Sequence, residues 1–398
     1  MLNKNKQREL AYLVKVDEIK PIEGKDRVEC AVVNGWTIMV RKNQFKPGDI
    51  GIYFEIDSKV PPKEEFEFLA SKKYKIKTQK YGNFYSQGLL MHPNDFGWTC
   101  KDNLIIDNNG NTHRMDDESK FLTKTLGVKY AVAEDNKRKS SSGQGVYNKM
   151  AYRHSELFAK QPFKWLMTKS WGKKFLFIFF GKERDLHDWP EWVIKTDEER
   201  IENMTWILEN KNPWIATEKI DGTSTTFSMK REKFGKYEFY VCSRNVDCSY
   251  GSNVYLEIAE KYNIKAHMKD MLEVHPEWDW VTIQGETYGK GIQKNTYNKK
   301  DHEFAAFNLV TSDRGRWDTL SMRRFLHDVY KIPCVPVLST NYILPDTIEE
   351  LRAYVHSAPS VIDDLFGPQL KEGIVFRDLE GQRSFKCVDP EYLIKYHA

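Results

Sequence analysis

At 398 residues the chain is long for a single hydrophobic core, and two domains are expected. Its composition, 40% hydrophobic, 30% charged and 13% aromatic, is globular, and its longest apolar run, 175–180, is far too short to span a membrane. The net charge of +4 is unevenly placed: between 137 and 184 there are twelve basic residues against two acidic ones, so a polyanion should meet this segment first. The six cysteines form no C-x-x-C pair and the first ten residues contain no apolar signal region, which together read as a reduced protein of the cytoplasm or nucleus, not attached to a membrane.

Five candidate strands open the chain, at 12–19, 27–33, 36–41, 50–56 and 86–92. Turn chemistry separates them: P-I-E-G at 21–24, N-G at 34–35 and K-P-G-D at 46–49. Short strands packed this densely suggest an OB-like β-barrel. Between 58 and 82 a loop is expected that carries Lys72, Lys75, Lys77 and Lys80 beside Tyr74 and Tyr81. Cations next to aromatic faces suit a single strand of nucleic acid; a plain solvated loop is the alternative. Residues 97–132 read as an extension with a helix at most over 121–130, and 134–145 has linker composition.

The segment 147–184 is basic and aromatic together, with Trp165 and Trp171 ahead of F-L-F-I-F-F at 175–180. Either the aromatic run is a buried strand with solvated lysines on its flanks, or the segment clamps nucleic acid. The expected organisation is 1–132 as the OB domain with its extension, 133–190 as a basic, aromatic linker or insertion, and 191–398 as a second domain. In that second part T-D-E-E at 196–199 reads as a capping box opening a helix to 208. A hairpin is expected from 223–229 to 237–244, a long helix over 253–273, and strands at 280–284 and 304–310. Helices at 321–330 and 346–356, the latter capped by Asp346 and Glu349, precede two last strands at 373–377 and 384–388.

The chemistry is expected at A-T-E-K-I-D-G-T-S-T-T-F, 216–227. Lys219, at the turn between two strands, is a candidate nucleophile, Asp221 an acid able to hold a metal, and Gly222 the residue that turns the chain away. An amine with a reference pKa of about 10.4 reacts only if its surroundings release the neutral form. Five more groups stand at strand ends downstream: Arg244 in S-R-N, Glu286 in Q-G-E, Phe307 in F-A-A-F, Glu372 in E-G-I-V-F-R and Lys386 in S-F-K. Singly each reads as an ion pair, a turn acid or core. Together with Lys219 they form a set of nucleophile, metal acids, aromatic face and phosphate-binding cations.

That set, in that order, resembles the covalent nucleotidyltransferase superfamily of ATP-dependent RNA and DNA ligases and mRNA capping enzymes. An OB-like domain placed first, with N-G-W at 34–36, F-K-P-G-D-I-G-I-Y-F-E-I-D-S at 45–58 and S-Q-G-L at 86–89, is similar to the Deinococcus and Naegleria type of RNA ligase. The resemblance implies an α+β fold: an OB-like barrel followed by an ATP-grasp-like nucleotidyltransferase domain with antiparallel sheets flanked by helices. It implies ATP and Mg²⁺ (or Mn²⁺) as cofactors, RNA as the partner and a monomeric enzyme that seals 3′-hydroxyl and 5′-phosphate ends. Lys219 would take AMP, with Asp221, Glu286 and Glu372 holding hydrated metal largely through its waters. Lys386 would lie on the phosphate and, with the metal, lower the pKa of Lys219. Phe307 would stack on adenine, Glu218 with its backbone would read the adenine edge, and Arg244 would contact ribose or the incoming 5′-phosphate. One departure is Gly381-Gln382-Arg383, where such enzymes often carry another lysine. A DNA ligase, a GTP-using capping enzyme or a non-catalytic nucleic-acid-binding module are the alternatives; the last domain's short end argues against the first two, and the intact set of site residues against the third.

Overall fold

The structure, a computed structural model, describes residues 1–4, 7–101, 104–131, 155–180, 189–195, 197–244, 246–249, 253–362 and 370–397. The linker reading at 134–145 therefore lies outside the described residues.

Alternating apolar residues set the first part. Strands β1 (Ala11–Lys15), β2 (Glu18–Pro21), β3 (Val28–Val33), β4 (Trp36–Arg41), β5 (Ile50–Phe54) and β6 (Leu89–Met91) form two antiparallel three-stranded sheets, β1-β5-β6 and β2-β3-β4. β4 alternates, with Trp36, Ile38 and Val40 inward, whereas β1 and β5 are buried on both faces, so Tyr12, Trp36 and Tyr53 pack together on one side and Leu13, Ile52 and Phe54 on the other. The expected loop at 58–82 is largely structured: a 3₁₀ segment, Glu64–Lys72, buries Phe66 and Leu69 against Phe54 and Phe96. No helix forms over 121–130, where a turn leads into the short strand Lys129–Tyr130.

The described part of the inserted segment, 155–180, is helical, which overturns the buried-strand reading of 175–180. Helices α1 (Ser155–Phe158), α2 (Phe163–Thr168) and α3 (Ser170–Phe180) pack on one another through Phe158 and Leu176. Helical spacing puts Trp171, Lys174, Phe175 and Ile178 on one side of α3, and all four are exposed, as is Trp165 on α2.

Two five-stranded sheets build the last part. One runs β7 (Glu199–Arg200), β16 (Ser384–Val388), β15 (Gly373–Asp378), β8 (Trp214–Lys219), β14 (Val337–Tyr342). The other runs β10 (Tyr237–Cys242), β9 (Thr223–Arg231), β11 (Trp280–Gly289), β12 (His302–Thr311), β13 (Gly315–Arg316). Helices α4 (Val254–Lys261), α5 (Ile264–Val274) and α6 (Thr319–Arg323) cover the second sheet, and α7 (Ile348–Ser357) covers the first. The expected long helix is broken between α4 and α5 at Asn263, which sits at φ 49°. α6 continues as a π-helical stretch, Arg324–Val329. The box of α7 uses Thr347 and Glu350, one residue later than the Asp346 and Glu349 expected.

The helix expected over 196–208 does not form, and Thr196 lies outside the described residues. Glu199–Arg200 pairs in parallel with β16, Arg200 opposite Lys386, and two 3₁₀ turns follow at Ile201–Asn203 and Thr205–Glu209. Sheet pairing has overridden a helical pattern. These turns receive the N-terminal domain. Trp36 Nε1 donates to Asn203 Oδ1 at 2.8 Å, and Gly35 N–H to the Glu202 carbonyl at 2.8 Å. A Cβ on Gly35 would lie 2.7 Å from the Glu202 Cα, so the hairpin tip fits only as glycine. Val388 and Leu393 join Tyr12 and Trp36 in one apolar cluster, and a last helix, α8 (Pro390–His397), completes the seam.

Candidate active site

Lys219 is the last residue of β8, which is paired on both sides and buried up to that point. The chain then turns through Ile220, Asp221 and Gly222 into β9, so Lys219 stands where the chain leaves one sheet for the other. Backbone bonds fix the turn: Asp221 N–H donates to Tyr297 Oη at 2.8 Å, and Gln293 Nε2 donates to the Gly222 carbonyl at 3.0 Å. Lys219 Nζ donates to Glu372 Oε2 at 2.6 Å. Glu286, on β11 opposite Ser224, adds a second carboxylate to the field around the amine and Asp221 a third.

The expectation that Lys219 has a lowered pKa is not met by the protein's own groups. Burial pulls the amine down, but Glu372, Glu286 and Asp221 together hold it above the usual lysine range. The cost appears on the acids. Burial, with Glu372 and Asp221 nearby, pushes Glu286 up to about 8 despite Lys219, and burial likewise raises Glu372. Excess carboxylate around one amine is the electrostatics of a site built for more positive charge. Among the described residues no group of three His, Cys, Asp or Glu side chains closes tightly enough to grip a bare ion. Three hard oxygen donors suit a Mg²⁺ or Mn²⁺ that keeps much of its own water shell. Asp221 is the least available of the three, since its Oδ2 accepts from Tyr392 Oη at 2.9 Å and from His397 Nε2 at 3.0 Å.

Lys386 enters from β16. Its Nζ donates to Asp197 Oδ1 at 2.8 Å, and burial pushes its pKa down to about 8 although Asp197 opposes this. Arg244 reaches the same carboxylate, Nη2 to Asp197 Oδ2 at 2.9 Å, and its guanidinium lies 5.1 Å from the centre of the Tyr130 ring. Arg383 is exposed on the turn between β15 and β16. The buried guanidinium in that neighbourhood is Arg377, which donates from Nη2 to Glu198 Oε1 at 2.9 Å and from Nη1 to the Phe307 carbonyl at 2.5 Å.

Phe307 is partly buried and joins Ile220, Val335, Tyr288 and Ile362 in an apolar cluster next to the lysine turn. Glu218 is buried, and its carboxylate is already used: it accepts from Ser360 Oγ at 2.5 Å and Val361 N–H at 2.9 Å. Its own N–H donates to the Pro336 carbonyl. Of the four lysines expected on nucleic acid, Lys77 donates to the His397 carbonyl, Lys80 pairs with Glu391 and Lys72 donates to Gln79. Lys77 and Lys80 thus fasten the N-terminal domain to α8, while Lys75, on a short strand, is partly buried.

The fold brings Lys219, Asp221, Glu286 and Glu372 together, with Lys386 and Arg244 on a second flank. Asp197, Arg8, Tyr392 and His397 were not foreseen. Asp197 was hidden inside an apparent helix cap, and Tyr392 and His397 in a tail without periodicity long enough to read.

Residues 10–93 match an OB-fold domain family and residues 212–397 the RNA ligase family. No curated protein matches the sequence. The fold is that of Naegleria gruberi RNA ligase. A variant of that enzyme with ATP and Mn superposes with a TM-score of 0.70 at 22% identity, over 98% of this chain and 100% of that one. Its complex with PPi gives 0.69 at 24%, over 98% and 99%, and a variant with AMP and Mn gives 0.70 at 23%, over the same shares. Behind an OB-fold domain, then, stands a domain that matches the RNA ligase family, and the two together have the fold of Naegleria gruberi RNA ligase.

Proposed function

We propose that the chain seals RNA 3′-hydroxyl and 5′-phosphate ends by three in-line displacements through a lysine-AMP intermediate. The observation that carries this is Lys219 Nζ held at the junction of two sheets among three carboxylates, with Lys386 and Arg244 beside it. Neutral Nζ, having lost its proton, attacks the α-phosphorus of ATP as pyrophosphate leaves. A 5′-phosphate oxygen of RNA then takes AMP from the nitrogen, and a 3′-hydroxyl displaces AMP to close the phosphodiester. Such transfers ask for positioning and charge neutralisation more than for covalent help. A divalent cation, when bound, neutralises the α-phosphate and the acids that otherwise keep Lys219 protonated. Asp221, Glu286 and Glu372 would hold its water shell, Lys386 and Arg244 would meet phosphate, and Phe307 with Ile220 would pack on adenine. Structures of Naegleria gruberi RNA ligase with ATP, AMP, PPi and Mn support the same choice of nucleotide and metal. A monomer acting on nicked or broken structured RNA in cytoplasm or nucleus completes this reading; no helix among the described residues is long and apolar enough to cross a membrane.

The test is to incubate the protein with magnesium and α-labelled ATP or, separately, GTP. Label attached covalently from ATP alone, then transferred to a 5′-phosphate RNA, is expected. Label from GTP would point to capping chemistry, and no label in folded protein free of prior AMP to a binding module.

The helical insertion supplies a second expectation. Lys164, Lys169 and Lys174 are exposed beside Trp165 and Trp171, an arrangement that can meet phosphates with cations and bases with rings. Deleting 137–184 should weaken RNA binding several-fold and flatten its salt dependence while lysine-AMP formation is unchanged. A salt slope equal to the full chain's would exclude RNA contact by this segment.

A further inference from the structure

Asp197 binds three cations from three distant parts of the chain. Its Oδ1 accepts from Lys386 Nζ at 2.8 Å, and its Oδ2 from Arg8 Nε at 2.8 Å and Arg244 Nη2 at 2.9 Å. Only 16% of the side chain is exposed. Two of these partners are themselves held by the N-terminal domain. Arg8 Nη1 pairs with Glu55 Oε2 at 3.0 Å, and Glu55 is fully buried at the end of β5; Arg244 lies over the ring of Tyr130. The third, Lys386, stands on β16 next to Arg200 and within the field of Lys219. Asp197 is thus the anion around which the cations of the site are arranged, and one of its anchors comes from the other domain.

We propose that Asp197 is a positioning residue for lysine adenylylation, holding Lys386 and Arg244 toward the phosphates, and that Arg8 locks it there from the N-terminal domain, which makes this step depend on the contact between domains. The proposal rests on Lys219 being the nucleophile. Without the carboxylate, Lys386 and Arg244 would lose their shared anion and Arg8 would keep only Glu55, so the three cations would repel one another, and each would move or, for lysine, lose its proton. Arg8 cannot be replaced by a point charge without loss, because its fork spans two carboxylates at once.

Lys386 faces Asp197, Arg8, Arg200 and Lys219, and among these only Asp197 favours its charged form. Burial already brings its pKa to about 8, so removing Asp197 carries it lower still. Lys386 is cationic below its pKa, and the variant should therefore lose activity on the alkaline side at a lower pH than the wild type.

The experiment is single-turnover lysine-AMP formation by the full chain between about pH 6 and about pH 9, for wild type, Asp197→Asn, Arg8→Ala and Arg8→Lys. Thermal melting of each accompanies it. Asp197→Asn should be on the order of 100-fold slower at the alkaline end and recover part of that at the acid end, as expected where a positioned phosphate contact is lost. Arg8→Ala should be about tenfold slower, with Arg8→Lys between it and wild type. Slowing of Asp197→Asn by one factor at every pH, or a wild-type rate, would overturn the proposal. Should Asp197→Asn fail to fold, a wild-type rate in a folded Arg8→Ala overturns it equally. A wild type that forms no adduct would instead remove the nucleophile reading on which it rests.

Discussion

Replacing Lys219 by alanine should abolish covalent AMP labelling and the sealing of 5′-phosphate RNA, a loss of at least about 10⁴-fold, because the proposed step needs an amine lone pair at this point. Lys386 cannot substitute, since its Nζ is committed to Asp197 at 2.8 Å. The same variant should still join RNA that already carries a 5′-adenylate, because the last displacement uses the RNA 3′-hydroxyl and not Lys219. Labelling with α-labelled ATP and sealing of pre-adenylylated RNA, run side by side, check both halves. Retained label would place the nucleophile elsewhere; loss of both activities in a folded protein would give Lys219 a part in the final step as well. Truncation also leaves Glu372, Glu286 and Asp221 without their amine partner. Glu372 and Glu286 should then take up protons more readily, which limits the damage to stability to about 1–2 kcal/mol.

The motif residues were legible because they lie in or beside strands whose pattern is local. β8, β9, β11, β15 and β16 all announce themselves by apolar and β-branched runs; Lys219 ends β8, Glu372 immediately precedes β15, and Glu286 and Lys386 lie within β11 and β16. Contacts between the halves of the chain left no such mark. T-D-E-E reads as a helix cap by its local chemistry, yet Glu199–Arg200 gains more from pairing beside Lys386, and the acids become ion-pair partners: Asp197 of Arg8, Arg244 and Lys386, Glu198 of Arg377 and Arg316. The lysines of 72–80 show another contact that local pattern does not reveal. Their composition suits a polyanion, but α8 was unread, so its Glu391 and its terminal carbonyl could not be foreseen as the partners of Lys80 and Lys77. The run 175–180 failed for a third reason: six apolar residues in succession have no period, and strand and helix are equally consistent with them until the flanks are seen.

Gly222→Ala should slow lysine-AMP formation by about 10²-fold or more although it removes no functional group. A Cβ at this position would lie 2.3 Å from the Thr287 carbonyl oxygen, 2.9 Å from Glu286 Cγ and 3.1 Å from the Thr287 carbonyl carbon. The first contact is with backbone in the middle of a sheet, where Thr223 pairs with Thr287 and Ser224 with Glu286, so it cannot be relieved by a rotamer change. Either β9 or β11 must move. If β11 moves, Glu286 moves with it; if β9 moves, the turn that carries Lys219 and Asp221 moves, against the Tyr297 and Gln293 bonds that fix it. Both routes change the distance between the amine and its acids, and a displacement of about 1 Å is enough to cost two orders of magnitude in a reaction that depends on alignment. Overpacking should also lower stability by about 1–3 kcal/mol, which a denaturant midpoint would read, so the rate is to be measured well below that transition. A folded Gly222→Ala enzyme that adenylylates at the wild-type rate would mean that the register between β9 and β11 does not set the geometry around Lys219.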